Sequence, residues 1–361
     1  METKASRPLR VLVVLPSWVG DAVMATPALR LLRDSLTGSF IGALCRPGID
    51  EVLGGTDLLD EFHVDRAAGV MGHKRAAGKL RPRRYDTALL LTNSFSTALI
   101  VRIAGIRRRV GYDRDARGLL LTDRISAPRR TDGSWAPIPA VAYYWHAACT
   151  LLDRPRTDPP PNATMELGAT PEQARAADAI LAEAGLGADS AYAILNPGAN
   201  NPAKRWPAQR FAALADHLAD AHGLRVLING SPAEADLVSQ IAGQCRANVH
   251  SLPDLGVTLG SLKALTARAR LMVTNDTGPR HFAAALGVPL VSLFGPTDPR
   301  WTTIPTKPGV PEIRLSADPT LPEGELADDH PDRCRIDRIG LDRVIEAVDE
   351  ALRAPSHRET P

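Results

Sequence analysis

The stretch NDTGPRHFAAALGVPLVSLFGPTDPRW, residues 275–301, decides the fold of this chain. Asp276-Thr277-Gly278 is a tripeptide that aspartic proteases use at their catalytic centre, where two aspartates share a proton. This chain carries one copy, and its surroundings are α/β. LMVTND reads as a strand, and Gly278-Pro279 open an apolar run with helical spacing. Gly287 ends that run, and PLVSLFG reads as a second buried strand. A strand, a tight turn, a helix and another strand make a βαβ unit, which belongs to a parallel sheet. The free amides and the positive end of such a helix hold anions. The stretch therefore reads as an anion-binding turn, with Asp276 capping the helix or binding hydroxyls. His281, one turn in, either faces the ligand or packs.

The same alternation extends in both directions. RVLVVLPS (10–17) reads as a strand and DAVMATPALRLLRDSL (21–36) as one helix. SFIGALCR, EFHVD, YDTALLL and RRVGY follow as strands, with a helix over 94–104. The proline-rich polar segment RPRTDPPPNATMELGAT (154–170) reads as a linker. After it the pattern restarts and runs to a final helix at 341–353. The expected fold class is α/β with two Rossmann-like domains, 1–160 and 161–340, facing each other across a cleft. A C-terminal helix and tail, 341–361, is free to pack back on the first domain. Ligands in such sheets sit beyond the carboxyl ends of the strands.

Bulk properties narrow the function. The chain has 361 residues, 44% of them apolar, and no run of 18 apolar residues, so no transmembrane helix is expected. The apolar run Val11–Leu15 is stopped by Pro16, with Asp21 soon after, and reads as a first strand rather than a signal peptide. Cys45, Cys149, Cys245 and Cys334 are far apart, which suits a reducing compartment. The loop from Asp328 to Cys334 gathers metal-ligand types without ligand spacing and reads as a solvated acidic loop. Net charge is +2, yet residues 66–130 hold 16 Lys/Arg against 4 Asp/Glu. That asymmetry suits either an anionic partner or a solvated basic surface. Few aromatics interleave with it, so nucleic-acid binding is not expected. Asp113-Arg114-Asp115 has the form of a metal-holding pair but lies among Arg107, Arg108, Arg109 and Arg117. It reads as neutralised by ion pairing, and no metal is expected.

No GxGxxG and no GxxxxGK[ST] occurs, which removes the strongest motifs for a dinucleotide enzyme or a P-loop NTPase. Polar residues at strand ends are the alternative candidates. Asp21 opens the first helix after Gly20; it is a first-turn acid favoured by the helix dipole or a carboxylate base. Lys204 lies in NPGANNPAKRWP, where loop amides and a lysine suit a diphosphate.

Taken together, PSWVGDAVMATPALRLLR, LTNSFSTALIVRIAGIRRRVGY, NPGANNPAKRWPAQRFAALADHL, the opening stretch and HPDRCRIDRIGLDRV resemble glycosyltransferase family 9. This is the family of ADP-heptose:lipopolysaccharide heptosyltransferases, and the heptosyltransferase II branch is the nearest likeness. The resemblance covers nearly the whole chain. It implies a GT-B fold and inverting, metal-independent transfer of heptose from ADP-heptose to the lipopolysaccharide inner core. It implies no cofactor, since the ADP-sugar is a substrate, and a cytoplasmic enzyme at the anionic inner face of the inner membrane. By resemblance Asp21 is the general base. Lys204, Asn200, Asp276, Thr277, Gly278 and His281 bind the donor, and Glu234 binds the nucleotide ribose. Asn93, Ser94, Arg107, Arg109 and Arg114 form the expected acceptor-binding set. The chain departs from the family in keeping only Cys334 before its last helix, and in the segment TTIPTKPG. These departures leave open a related enzyme with another donor or acceptor, or a nucleotide-sugar-binding protein without catalysis.

Overall fold

The computed structural model describes residues 8–66, 70–129, 138–187, 189–300, 303–322 and 325–353. Trp301, which ends the opening stretch, and the tail 354–361 lie outside the described residues. The chain forms two compact units, Met1–Glu166 and Leu167–Pro361.

In the first unit the elements run β1 Arg10–Val14, α1 Val19–Met24, α2 Thr26–Ser35, β2 Phe40–Cys45, α3 Ile49–Leu53, β3 Glu61–Val64 and α4 Val70–Leu80. They continue with β4 Thr87–Leu90, α5 Phe95–Ile103, β5 Arg108–Tyr112, β6 Asp123–Ile125 and α6 Ala140–Leu151. All six strands are parallel, in the order β3-β2-β1-β4-β5-β6. The central strands are Val/Leu runs buried on both faces, as helices on both sides of a parallel sheet require. The single helix expected over 21–36 is two, broken at Ala25. Pro27 has no N–H, and its ring cannot follow the carbonyl of residue 23 inside a helix. The Thr26 hydroxyl donates to that Val23 carbonyl at 2.7 Å instead.

The unit closes on its own last residue. The Glu166 amide donates to Thr26 Oγ1 at 3.0 Å, and its carboxylate takes a two-pronged contact from Arg30 at 2.9 and 2.8 Å.

The second unit runs α7 Pro171–Glu183, β7 Tyr192–Asn196, α8 Ala208–His222, β8 Arg225–Ile228, α9 Ala235–Ala242, β9 Val249–Ser251 and α10 Leu259–Thr266. It continues with β10 Leu271–Asn275, α11 Gly278–Leu286, β11 Leu290–Phe294, β12 Glu312–Ser316 and α12 Leu341–Arg353. Its sheet is again parallel, in the order β12-β11-β10-β7-β8-β9. Counted within each unit, both sheets have the Rossmann order 3-2-1-4-5-6, so each has its switch point between its first and fourth strands. The helix α12 packs within this unit. Its Val344, Ala347, Val348 and Ala351 join the core that holds Trp206, Phe211 and Leu218.

Candidate functional site

Two strands of the second unit end in asparagine, β7 at Asn196 and β10 at Asn275, and Asn229 directly follows the last residue of β8. All three side chains are buried, so each needs partners. Asn229 donates to Asn196, and Asn196 Nδ2 donates to Thr274 Oγ1 at 3.1 Å and Thr277 Oγ1 at 2.9 Å. Asn275 Nδ2 donates to the Pro197 carbonyl at 2.7 Å, and its Oδ1 accepts from the Trp206 amide at 3.3 Å. Asn275 thus fastens the 197–206 loop to the end of β10. The buried Trp206 indole, donating to the Ile339 carbonyl at 2.8 Å, anchors the far end of that loop.

The consequence is the position of Lys204. Its Nζ lies 3.0 Å from Asp276 Oδ2, although the two residues are 72 positions apart. Thr297 Oγ1 donates to the same oxygen at 3.2 Å, and the buried Arg280 guanidinium lies 3.7 Å from Asp276 Oδ1. Burial alone would raise the Asp276 carboxyl, but Lys204 and Arg280 outweigh it and hold the group below its usual value. At the head of α11 Asp276 stands one residue before the N-cap position. The N-cap is Thr277, which makes no side-chain capping bond, so the first-turn amides at Gly278 have no side-chain acceptor from it. His281 packs rather than projecting outward. Burial, and then Arg280, push its imidazole down to about 4, and its Nε2 is buried without a hydrogen-bond partner.

Asn200 is exposed in the loop ahead of Lys204. Glu234 caps its own turn through Ser231, at 2.9 Å to the amide and 2.8 Å to the hydroxyl. A methyl group placed at Gly198 would come within 2.3 Å of Glu234 Oε1, so Glu234 leans directly over the lysine-bearing loop. A cavity of about 300 Å³ adjoins the turn through Thr297, with Asp298, Arg300 and Cys334 in its walls. This arrangement collects one lysine, uncapped amides and hydroxyl acceptors, a set suited to a phosphorylated, hydroxyl-bearing ligand.

In the first unit the strand ends line a cavity of about 690 Å³, with Ser17, Arg46, His73, Thr92, Phe95 and Ser96 in its walls. Trp18 and Phe95 expose 67% and 43% of their surface at these loops, aromatic faces of the kind that stack on sugar rings. Asp21 sits in the first turn of α1. Burial raises its carboxyl above the usual range, and a hydrogen bond from Tyr144 of α6 opposes that rise. Burial and the Asp21 charge hold the Tyr144 phenol far above its ordinary value, so it stays protonated and donates.

The expected acceptor residues divide. Asn93 Oδ1 accepts from Tyr143 Oη at 2.8 Å and from Arg117 at 3.1 Å, and Ser94 caps α5. Arg107 and Arg109 sit at the start of β5, at the opposite end of the sheet from the strand termini. Arg109 also gives its guanidinium to the carbonyls of Leu120, Ile106 and Arg107, at 2.6, 2.6 and 2.8 Å. Only Arg114 of the three follows the strand's carboxyl end.

The pairing expected at Asp113-Arg114-Asp115 takes the form of longer-range attraction, since the charges of both aspartates act on the buried Arg117. Among the described residues neither aspartate has an ion pair, because the buried Arg117 guanidinium bonds the Tyr112 and Thr92 carbonyls and Asn93 instead. Within the basic run Arg83 pairs with Glu61, and Arg108 with Asp123 and Asp153, while most of its other described lysines and arginines are exposed. No helix among the described residues is long and apolar enough to cross a membrane.

Comparison with known proteins adds a second line. Residues 74–326 match the family described as glycosyltransferase family 9 (heptosyltransferase). Lipopolysaccharide heptosyltransferase 2 of Escherichia coli K12 is 31% identical over 308 residues, covering 81% of this chain and 85% of that protein. Among solved structures, E. coli ADP-heptose lps heptosyltransferase II superposes with a TM-score of 0.76 at 26% identity, over 95% of this chain and 98% of that one. A glycosyl transferase family 9 protein from Veillonella parvula shares the fold, with a TM-score of 0.78 at 21% identity over 95% and 97% of the two chains.

Proposed function

This chain belongs to glycosyltransferase family 9 and has its GT-B fold, and from that premise we propose that it moves heptose from ADP-heptose to the lipopolysaccharide inner core. Residues 1–160 serve the acceptor and 161–340 the donor. The observation that carries the reading is the meeting of Lys204 with Asp276 beside the uncapped head of α11.

Asp276 holds the ammonium at the point where α11 presents its amides. An arriving diphosphate replaces the carboxylate as the partner of Lys204 and accepts from the amides at Thr277–Gly278. Asp276 then turns to Thr297 and Arg280. Asn200 and Glu234, on either side of Gly198, contact the phosphate and the ribose hydroxyls. His281 stays neutral and shapes the turn from below.

Transfer breaks the bond between the heptose anomeric carbon and the diphosphate oxygen. The electron pair leaves with ADP, where Lys204 and the amides meet the new charge without a metal. An acceptor hydroxyl forms the new bond from the opposite face, which inverts the centre, and its proton passes to Asp21. A carboxylate raised by burial is a stronger proton acceptor than an exposed one, and the Tyr144 hydrogen bond keeps it ionised. The acceptor rests in the first-unit cavity, its sugars against Trp18 and Phe95 and its anionic groups near Arg46 and Arg114. The enzyme needs no cofactor and works in the cytoplasm, in peripheral contact with the anionic inner membrane surface.

The test is turnover. The purified chain, ADP-heptose and a core acceptor lacking this heptose should release ADP and add one heptose to the acceptor. Tight ADP-heptose binding with no product from any core acceptor would favour a non-catalytic sugar-nucleotide binder. Faster turnover with another nucleotide sugar would assign a different donor.

A further inference from the structure

The most convergent set of metal-binding side chains among the described residues stands apart from the proposed transfer site. We propose that the second unit holds a transition-metal ion, of the zinc class, between His217 and His222 of α8 and Asp349 of α12.

Both imidazoles point the same atom at the same oxygen. His217 Nε2 lies 2.9 Å and His222 Nε2 2.8 Å from Asp349 Oδ1. The rings stand 5.4 Å apart and 75° to one another, so their edges converge rather than stack. All three ligand atoms fall within 4.8 Å of each other.

A tetrahedral zinc ion with bonds of about 2.0–2.1 Å keeps its ligand atoms roughly 3.3 Å apart. The imidazole–carboxylate distances need to open by about half an ångström, which small side-chain rotations supply. The side chains are 23%, 25% and 30% exposed, so there is freedom to rotate and a route for water to a fourth position. Two imidazoles and one carboxylate select zinc, cobalt or nickel over magnesium and calcium, which prefer all-oxygen shells.

The backbone favours a cation at the same place. His222 is the last residue of α8, where the helix leaves its carbonyls and negative end, and Gly223 closes it in the left-handed conformation. The cluster is also remote from the chemistry. The helix α8 starts just after the Lys204 loop, and its 15 residues span about 22 Å, which puts His222 at the opposite end of the strands. The ion would tie the end of α8 to α12, which no later described element covers. This proposal does not depend on heptosyl transfer.

The experiment uses the full-length, untagged chain, stripped with EDTA and dialysed. Calorimetric titration with Zn²⁺ should show one site per chain, and Zn²⁺ should raise the melting temperature. Co²⁺ should give the strong visible absorption of a four-coordinate ion. The H217A/H222A double variant should bind Zn²⁺ at least tenfold more weakly. The gentler Asp349→Asn variant should also lose affinity, which keeps the test open if the double variant fails to fold. Zn²⁺ binding of wild-type strength in a folded double variant, or no binding by the wild-type chain, would overturn the proposal. So would a six-coordinate Co²⁺ spectrum.

Discussion

Replacing Lys204 with alanine isolates the contact on which the proposed donor site depends. The ammonium is 22% exposed and lies 3.0 Å from Asp276, whose side chain is 7% exposed. A charge-assisted contact of this kind contributes roughly 1.5–3 kcal/mol, a factor on the order of 10 to 100 in affinity. Two effects act around that figure. Lys204 exchanges one anionic partner for another on binding, which lowers the loss. Its removal leaves Asp276 facing the diphosphate with Arg280 still 3.7 Å away, which raises it. We expect ADP and ADP-heptose to weaken alike, by roughly 10- to 100-fold, since both carry the diphosphate. Calorimetry on variants checked for folding measures this. Adding Asp276→Asn to Lys204→Ala should recover part of the loss, because the repelling charge goes with it. Unchanged ADP affinity in folded Lys204→Ala would mean that the phosphates bind elsewhere, and the donor assignment would fall.

Asp21→Asn should keep ADP-heptose affinity and lose most transfer; near-normal turnover would remove Asp21 as base. Tyr144→Phe deletes a hydrogen bond that lowers the Asp21 pKa, so the acid limb of the kcat/KM profile should move to higher pH, and an unmoved limb refutes the contact. His281 takes its proton near 6.5 in the unfolded chain and near 4 in the folded one, so protons favour unfolding across that window. The melting temperature should fall as pH drops from about 6.5 to about 4, the loss capped at roughly 3 kcal/mol. His281→Gln should flatten that slope, and an equal slope in both proteins would contradict the burial argument. Exhaustive EDTA treatment should leave turnover intact even where it lowers the melting temperature; a loss restored by Mg²⁺ would refute metal-independent transfer. Gly42→Ala puts a methyl group 1.9 Å from the Tyr85 hydroxyl that His63 holds at 2.8 Å; about 1–3 kcal/mol of stability should go, and an unchanged denaturation midpoint would show that Tyr85 moves freely.

Periodicity carried most of the fold, because buried parallel strands and amphipathic helices leave strong patterns. It failed where the pattern is weak. The helix α6, AVAYYWHAACTL, is buried on most sides and shows no polar face, so Tyr144 and its partnership with Asp21 were not legible. The strand β6 is three residues, and β12 carries charges at Glu312 and Arg314. At the site, the turn and the lysine were both readable as an anion site, but not their direct contact, which depends on Asn275 stitching a loop to a strand end. The three asparagines at or just past strand ends, Asn196, Asn229 and Asn275, were a visible signal that went unread. The arginine-rich region was legible as a basic surface, and most of it is exposed; what charge counting could not show is that Arg109 and Arg117 turn their guanidinium groups to backbone carbonyls instead.

The clamp on Glu166 changes what the proline-rich segment before α7 is. By sequence it is a leash of some seventeen residues. With Glu166 fastened to Thr26 and Arg30, and Thr170 locked into the capping box of α7, only Leu167, Gly168 and Ala169 are left between fixed points. Three residues reach about 10 Å at full extension. The stretch that reads as a long linker is therefore mostly part of the first unit's packing, and the unanchored connection is only these three residues. Cutting Arg30 back to alanine would remove the carboxylate half of that fastening and leave the Glu166 amide on Thr26 to hold the boundary alone.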